Sequence, residues 1–203
     1  MKLYDSIGPN PRVVRIFIAE RGIDLPRETL DLMGGENRLP PHLARNPMGQ
    51  LPCLELDDGS HLSEIIPICE YLDEITPGPS LIGATPRERA ETRMWLRRID
   101  LNIVEPLING FRFSQGLKLF KDRVRCIPEA AEGLKAVAQD NLAKLDGLLA
   151  GKQFVCQERL TLADILLFAF LDFGNQVKQP INPAFTALVA HHAMMAARPS
   201  AQA

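Results

Sequence analysis

A proline stands where a strand should begin. In Asn46-Pro-Met-Gly-Gln-Leu-Pro-Cys-Leu-Glu-Leu-Asp-Asp-Gly59, the residues from Cys53 alternate apolar and acidic and stop at Asp57-Asp58-Gly59, the punctuation of a tight hairpin. Proline cannot donate to a sheet ladder, so Pro52 belongs at an edge, at a first strand residue or in a turn. With Pro47 and Gly49 just ahead of it, the chain enters this strand through a bend. Such a bend raises the question of what the main chain of Leu51 pairs with. An unpaired N–H and C=O at a strand entrance can receive an extended peptide by β-augmentation.

Two further stretches carry groups suited to an anion. Ser63-Glu64 opens an apolar-periodic segment in which Ile65, Ile68, Cys69 and Leu72 share one face of a helix over Ser63 to Ile75. A helix N-terminus offers unpaired N–H groups and partial positive charge, which suit a carboxylate. Ser63 can add a hydroxyl, and Glu64 can face an ammonium. As residues alone, an N-cap serine and a dipole-favouring glutamate account for the pair better than a ligand site does. Pro67 falls near N4, where its missing N–H removes one early helix bond. The segment Tyr4-Asp-Ser-Ile-Gly-Pro-Asn-Pro-Arg12 holds Ser6 and Asn10 ahead of a helix over Arg12 to Arg21. Read without context, Ser6 is a turn hydroxyl, Asn10 a helix cap and Tyr4 a packing residue of the strand.

The elements that must position these groups emerge from pattern. Met1 to Asp5 reads as a strand, Gly8, Pro9 and Pro11 interrupt, and Gly22 ends the first helix. Arg27 to Leu32 is a second strand and Pro41 to Arg45 a helical turn. Cys53 to Leu56 and His61 to Leu62 form a hairpin. A strand–helix–strand start implies a parallel pair joined by a right-handed crossover. The breaker cluster Thr76-Pro-Gly-Pro-Ser80 then separates this part from an all-helical remainder. There, Thr85-Pro-Arg-Glu88 opens a helix to about Phe113 that bends near Pro106. Glu129 to Leu149 is another. Thr161-Leu-Ala-Asp164 opens a third through a capping box, with Leu160 and Ile165 as a hydrophobic staple. A last helix comes after Asn182-Pro183. The fold class is therefore α/β followed by all-α: residues 1–78, a linker 79–84, and residues 85–203.

Together these features resemble the glutathione S-transferase superfamily, of the bacterial cytosolic type, over essentially the whole chain. The motifs that match in order and spacing are Asn46-Pro47-x-Gly49-x-Leu51-Pro52, Ser63-Glu64 at a helix start, and Thr161-x-x-Asp164. The resemblance implies a thioredoxin-like first domain, a cis-proline at Pro52, and Leu51 pairing with the cysteinyl part of glutathione. It places the γ-glutamyl group on Ser63 and Glu64, with Gln50 as a further contact. It implies a second-substrate pocket at Ile7, Phe111 and Phe113, and a homodimer. The activity it implies is detoxifying transfer of glutathione to a small electrophile, or reduction of a disulfide. Where serine-type members carry their catalytic hydroxyl this chain has Gly8, so Asn10, then Ser6, are the candidates to hold the thiolate. The alternative is a catalytically silent member that binds ligands or other proteins.

Composition narrows the remaining classes. The 203 residues are 46% hydrophobic and 24% charged, ordinary for a soluble globular protein. A net charge of −2 lacks the basic excess of a nucleic-acid binder. The longest apolar run, Ile165 to Leu171, is far below the roughly 20 residues a membrane span needs. No secretory signal comes after Met1, and the cysteines Cys53, Cys69, Cys126 and Cys156 form no CxxC, so a cytoplasmic protein with free thiols is expected. A dithiol oxidoreductase is disfavoured on the same ground. His191-His192 point in different directions on a helix, and no metal is expected.

Overall fold

The structure, a computed structural model, describes residues 1–203 and divides into two compact units. The first comprises Met1–Ile82 together with Pro199–Ala203, the second Gly83–Arg198. The division therefore differs from the sequence expectation at the C-terminus, where Pro199–Ala203 groups with the first unit. Arg12 donates to the carbonyl of Ala201 at 3.2 Å, and the Ser200 hydroxyl bonds Glu20, so the last residues are fastened to the first helix.

The first unit runs β1 (Lys2–Asp5), α1 (Pro9–Arg21), β2 (Arg27–Thr29), a 3-10 turn (Glu36–Arg38), α2 (Pro40–Arg45), β3 (Cys53–Glu55), β4 (His61–Ser63) and α3 (Ile65–Ile75). The sheet order is β2-β1-β3-β4, with β1 and β2 parallel and the other pairs antiparallel. Successive side chains alternate faces. Tyr4, Leu30, Leu51 and Cys53 cluster in the core. Leu3 and its cross-strand partner Leu54 take the opposite face from Tyr4 and Cys53. The helices α1 and α3 pack together through buried faces that include Val13, Ile16, Phe17, Ile68, Cys69 and Leu72.

The register fixes where loops emerge. Tyr4 pairs with Cys53, and Cys53 with Ser63. The C-terminal end of β1, the N-terminal end of β3 and the C-terminal end of β4 therefore lie in one row, spanning roughly 10 Å at about 4.8 Å per strand. The turn out of β1, the loop into β3 and the passage from β4 to α3 all share one end of the sheet.

Both helices leaving that end begin differently from the sequence expectation. Helix α1 starts at Pro9, three residues before Arg12, because Gly8 at N-cap (φ 109°, ψ 169°) turns the chain directly into it. Prolines in a first turn have no N–H to lose there, so Pro9 and Pro11 belong to the helix and do not interrupt it. Helix α3 starts at Ile65, two residues later than expected, with Glu64 at N-cap and Ser63 ending β4. Pro67 is thus at N3 and removes no helix bond. The first one is made by Ile68 N–H to the Glu64 carbonyl, 3.2 Å.

The second unit holds α4 (Pro86–Ile99), α5 (Glu105–Arg112), α6 (Leu117–Phe120), α7 (Ala131–Leu149), α8 (Leu162–Gln176) and α9 (Thr186–Ala196). A π-helical turn over Asp100–Val104 joins α4 to α5, just ahead of Pro106, where the long helix was expected to bend. At the start of α4, Glu88 N–H donates to the Thr85 hydroxyl (3.2 Å) and Thr85 N–H to the Glu88 carboxylate (3.1 Å). Helix α8 is buried on every side from Leu162 to Leu171, which explains its continuous apolar run. No helix is long and apolar enough to cross a membrane.

Candidate functional site

The peptide bond Leu51–Pro52 is cis. The loop ahead of it is held by buried polar side chains aimed at successive carbonyls. Asn37 Nδ2 donates to the Gly49 carbonyl (2.6 Å). His42 Nε2 and Asn46 Nδ2 both reach the Gln50 carbonyl (2.9 Å each). A carbonyl only accepts, so His42 carries its proton on Nε2. Asn46 also caps the turn, accepting from Met48 N–H (3.1 Å) while its own carbonyl accepts from Gly49 N–H (2.8 Å). The N–H and C=O of Leu51 have no partner in the chain. Leu51 as a whole residue is 7% exposed, and main-chain groups without partners are uncommon in so enclosed a residue. The side chain of Gln50 is half-buried and unpaired.

At the far side of the same sheet end, Glu64 is exposed, its carboxylate has no hydrogen bond, and it sits at φ 71°, ψ 139°. A residue with a side chain rarely adopts that region, and holding it there costs about 1–3 kcal/mol. Behind it, Ile65 and Ile66 present N–H groups without intrahelical partners, and Pro67 has none. Ser63 belongs to β4, so it does not cap the helix as the sequence suggested; the register puts its side chain on the face of Cys53 and Tyr4.

The start of α1 completes the row. Asn10 is at N2, not the cap. With Pro9 at N1 and Pro11 at N3, its main-chain N–H is the unpaired donor inside this first turn, since Arg12 N–H bonds Gly8 (3.3 Å). Its carboxamide is half-buried and without a partner. Ser6, by contrast, is 4% exposed and its hydroxyl donates to the Leu30 carbonyl at 2.7 Å. A hydroxyl has a single proton, so Ser6 has none left for a thiolate. Ile7, next in the turn, is 59% exposed.

Tyr4 and two of the cysteines are structural. Tyr4 donates to Glu55 (2.5 Å) and lies 4.0 Å beneath the Arg45 guanidinium, which leaves it in the packing role read from the strand. Burial pushes the Cys53 thiol up to about 11 and raises the Cys69 thiol as well. Neither is a reactive thiolate. In the second unit, Phe111 meets Phe120 and Phe173 edge-on, with centroids 6.0 and 5.2 Å apart, and Phe113 caps α5. The residues that sequence reasoning missed are Asn37 and His42. They lie in a turn and a short helix with no periodic pattern, and only the fold brings them to the Gly49 and Gln50 carbonyls.

The first unit, a four-stranded mixed sheet with helices, is thioredoxin-like, and the second is all-α. Residues 7–75 match the glutathione S-transferase N-terminal domain and residues 121–199 the glutathione S-transferase C-terminal domain. Glutathione S-transferase 2 of Saccharomyces cerevisiae is 31% identical over 205 residues, covering 98% of this chain and 87% of the yeast protein. A glutathione S-transferase domain-containing protein from Marinobacter aquaeolei superposes with a TM-score of 0.93 at 38% identity, over 98% of this chain and 99% of the other. A glutathione S-transferase from Methylobacillus flagellatus solved with glutathione bound gives 0.83 at 26% identity, over 99% and 96%. The chain belongs to the glutathione S-transferase superfamily.

Proposed function

We propose that this protein binds glutathione at the β1–β3–β4 end of its first unit, holds the sulfur as thiolate beside Asn10, and directs it onto a small electrophile or a disulfide. The carrying observation is the unpaired main chain of Leu51, in one row with two helix starts that also have free donors. The tripeptide supplies a matching set of groups. Its cysteinyl amide and carbonyl pair with Leu51 as an added strand. Its γ-glutamyl carboxylate meets the N–H groups of Ile65 and Ile66, and its ammonium meets Glu64. Gln50 and Ser63 flank this path as further polar contacts.

A free thiol has a pKa of about 8.5. Each unit of depression needs about 1.4 kcal/mol of preference for the anion. The carboxamide and main-chain N–H of Asn10, at the positive end of α1, offer two donors to that sulfur. The thiolate then forms a bond to the electrophilic carbon as the leaving group departs with its electron pair. Against a disulfide, it forms a mixed disulfide and expels the other sulfur as thiolate. Ile7 is the exposed apolar residue beside this sulfur position.

Asn10→Ala removes one donor and leaves the main-chain N–H. It should lower kcat/KM with an aryl halide or a mixed disulfide by roughly 10- to 100-fold, with little change in glutathione affinity. Unchanged turnover would clear Asn10 of the role. Glutathione binding by the wild type without turnover of either substrate would favour the silent reading, which the side-chain-free Gly8 at the helix cap also supports.

A further inference from the structure

The geometry points to Arg15 as a positioning residue for thiol activation, an inference that rests on the role proposed for Asn10. Arg15 leaves α1 away from Asn10 and returns to the root of the same turn. Its Nη1 donates to Asp5 Oδ1 at 2.8 Å and to the Ser6 carbonyl at 2.9 Å. The same Asp5 oxygen accepts from Ser6 N–H, 2.8 Å. Leu30 closes the arrangement from β2's side, its N–H donating to the Asp5 carbonyl (3.0 Å) while its own carbonyl accepts from the Ser6 hydroxyl (2.7 Å). Every hydrogen-bonding group of Ser6 is thereby engaged.

Beyond Ser6 the turn is soft. Ile7 is exposed, and Gly8, at φ 109°, has nothing within 4 Å of where a Cβ would stand. Packing does not fix this stretch. The direction of the first turn of α1 is set at its two ends, by the clamp on Ser6 and by the helix itself. Asp5 and Arg15 close a ring of chain with Asn10 halfway round it. Their side chains are 8% and 17% exposed, so solvent competes little with the clamp. A mostly desolvated ion pair is weak support for stability in itself, and α1 already buries Val13, Ile16 and Phe17. Its structural effect is to hold the Asn10 donors at a constant distance from the end of β1, and therefore from a sulfur laid along Leu51.

The test is the pKa of the bound glutathione thiol, read as thiolate absorbance against pH, with S-methylglutathione as the ligand that has no thiol. Wild type should show a thiol pKa below that of free glutathione. Arg15→Met should raise it by about one unit, equivalent to about a tenfold loss of thiolate at lower pH. Its kcat/KM should fall about tenfold at pH 6.5 and approach wild type above the thiol pKa, where the sulfur ionises unaided. S-methylglutathione should bind both proteins within about twofold, as nothing in its path requires the thiol donors. Arg15→Lys, whose ammonium can serve both acceptors, should restore most of the shift. If Arg15→Met is not recovered folded, Asp5→Asn keeps an acceptor at Oδ1, weakens the pull on Arg15, and should give a smaller shift of the same sign. A thiol pKa equal to wild type in the folded variant, or S-methylglutathione binding lost in the same proportion as activity, would overturn the role of Arg15. An ordinary thiol pKa in the wild type would instead overturn the thiolate reading on which it rests.

Discussion

Two helices of this molecule begin beside an acidic residue and use it in opposite ways. At the start of α8, Asp164 is fully buried and every direction is taken. It accepts from Val155 N–H (2.7 Å), Thr161 N–H (2.9 Å) and the Thr161 hydroxyl (3.1 Å), and His191 Nε2 lies at 3.0 Å. At the start of α3, Glu64 is exposed, its carboxylate has no partner, and it is held at φ 71° where a side chain is disfavoured. A cap closed on itself stabilises a fold. A cap left open, strained and beside unpaired N–H groups has capacity for a ligand. Strained backbone persists only where its surroundings over-determine it, and here β4 and α3 fix both neighbours of Glu64.

That contrast is open to attack, beginning with its closed member. Asp164→Ala would leave two main-chain N–H groups and His191 without an acceptor in a buried place. It should cost about 3–5 kcal/mol of stability, seen as a large fall in the denaturation midpoint of the second unit. A loss under about 1 kcal/mol would deny the closed cap its structural role. Glu64→Ala is the counterpart: glutathione affinity by calorimetry should fall about tenfold, about 1.4 kcal/mol, with stability within about 0.5 kcal/mol of wild type. An equal dissociation constant would remove Glu64 from the site. Thr161→Ala, which loses one side of the closed cap, should cost about 0.5–2 kcal/mol, with a denaturation midpoint equal to wild type as the contrary result. Glu64→Gly should sharpen the comparison most finely. Relief of the strained positive-φ backbone, less the added chain entropy, should stabilise the fold by about 1 kcal/mol while glutathione affinity drops as in the alanine variant.

The closed cap was legible in the sequence and the open one only partly. Thr161-x-x-Asp164 and Thr85-x-x-Glu88 announce themselves because both partners lie within one turn, and the Asp58-Gly59 hairpin does so for the same local reason. The bend at Pro52 was legible because proline cannot join a ladder. The start of α3 was misplaced by two residues, since Ser63 looks like a cap and nothing local reveals that it pairs with Cys53 across the sheet. The start of α1 was misplaced because its prolines read as breakers, although a first turn has no N–H bonds for them to break. Asn37, His42 and Arg15 act on partners that only the folded loop supplies, and the return of Pro199–Ala203 to the first unit is a matter of tertiary packing. Glu64 was chosen for its charge; its backbone strain is invisible to any pattern of residue types.

The proposed pairing of glutathione with Leu51 is what everything else depends on, and the Leu51 amide reports it directly. Titrating isotope-labelled protein with S-methylglutathione should move the Leu51 N–H resonance downfield and slow its exchange with solvent, as a newly formed strand hydrogen bond requires. Binding that leaves the Leu51 amide unshifted and exchanging as before would place the tripeptide elsewhere and contradict the pairing.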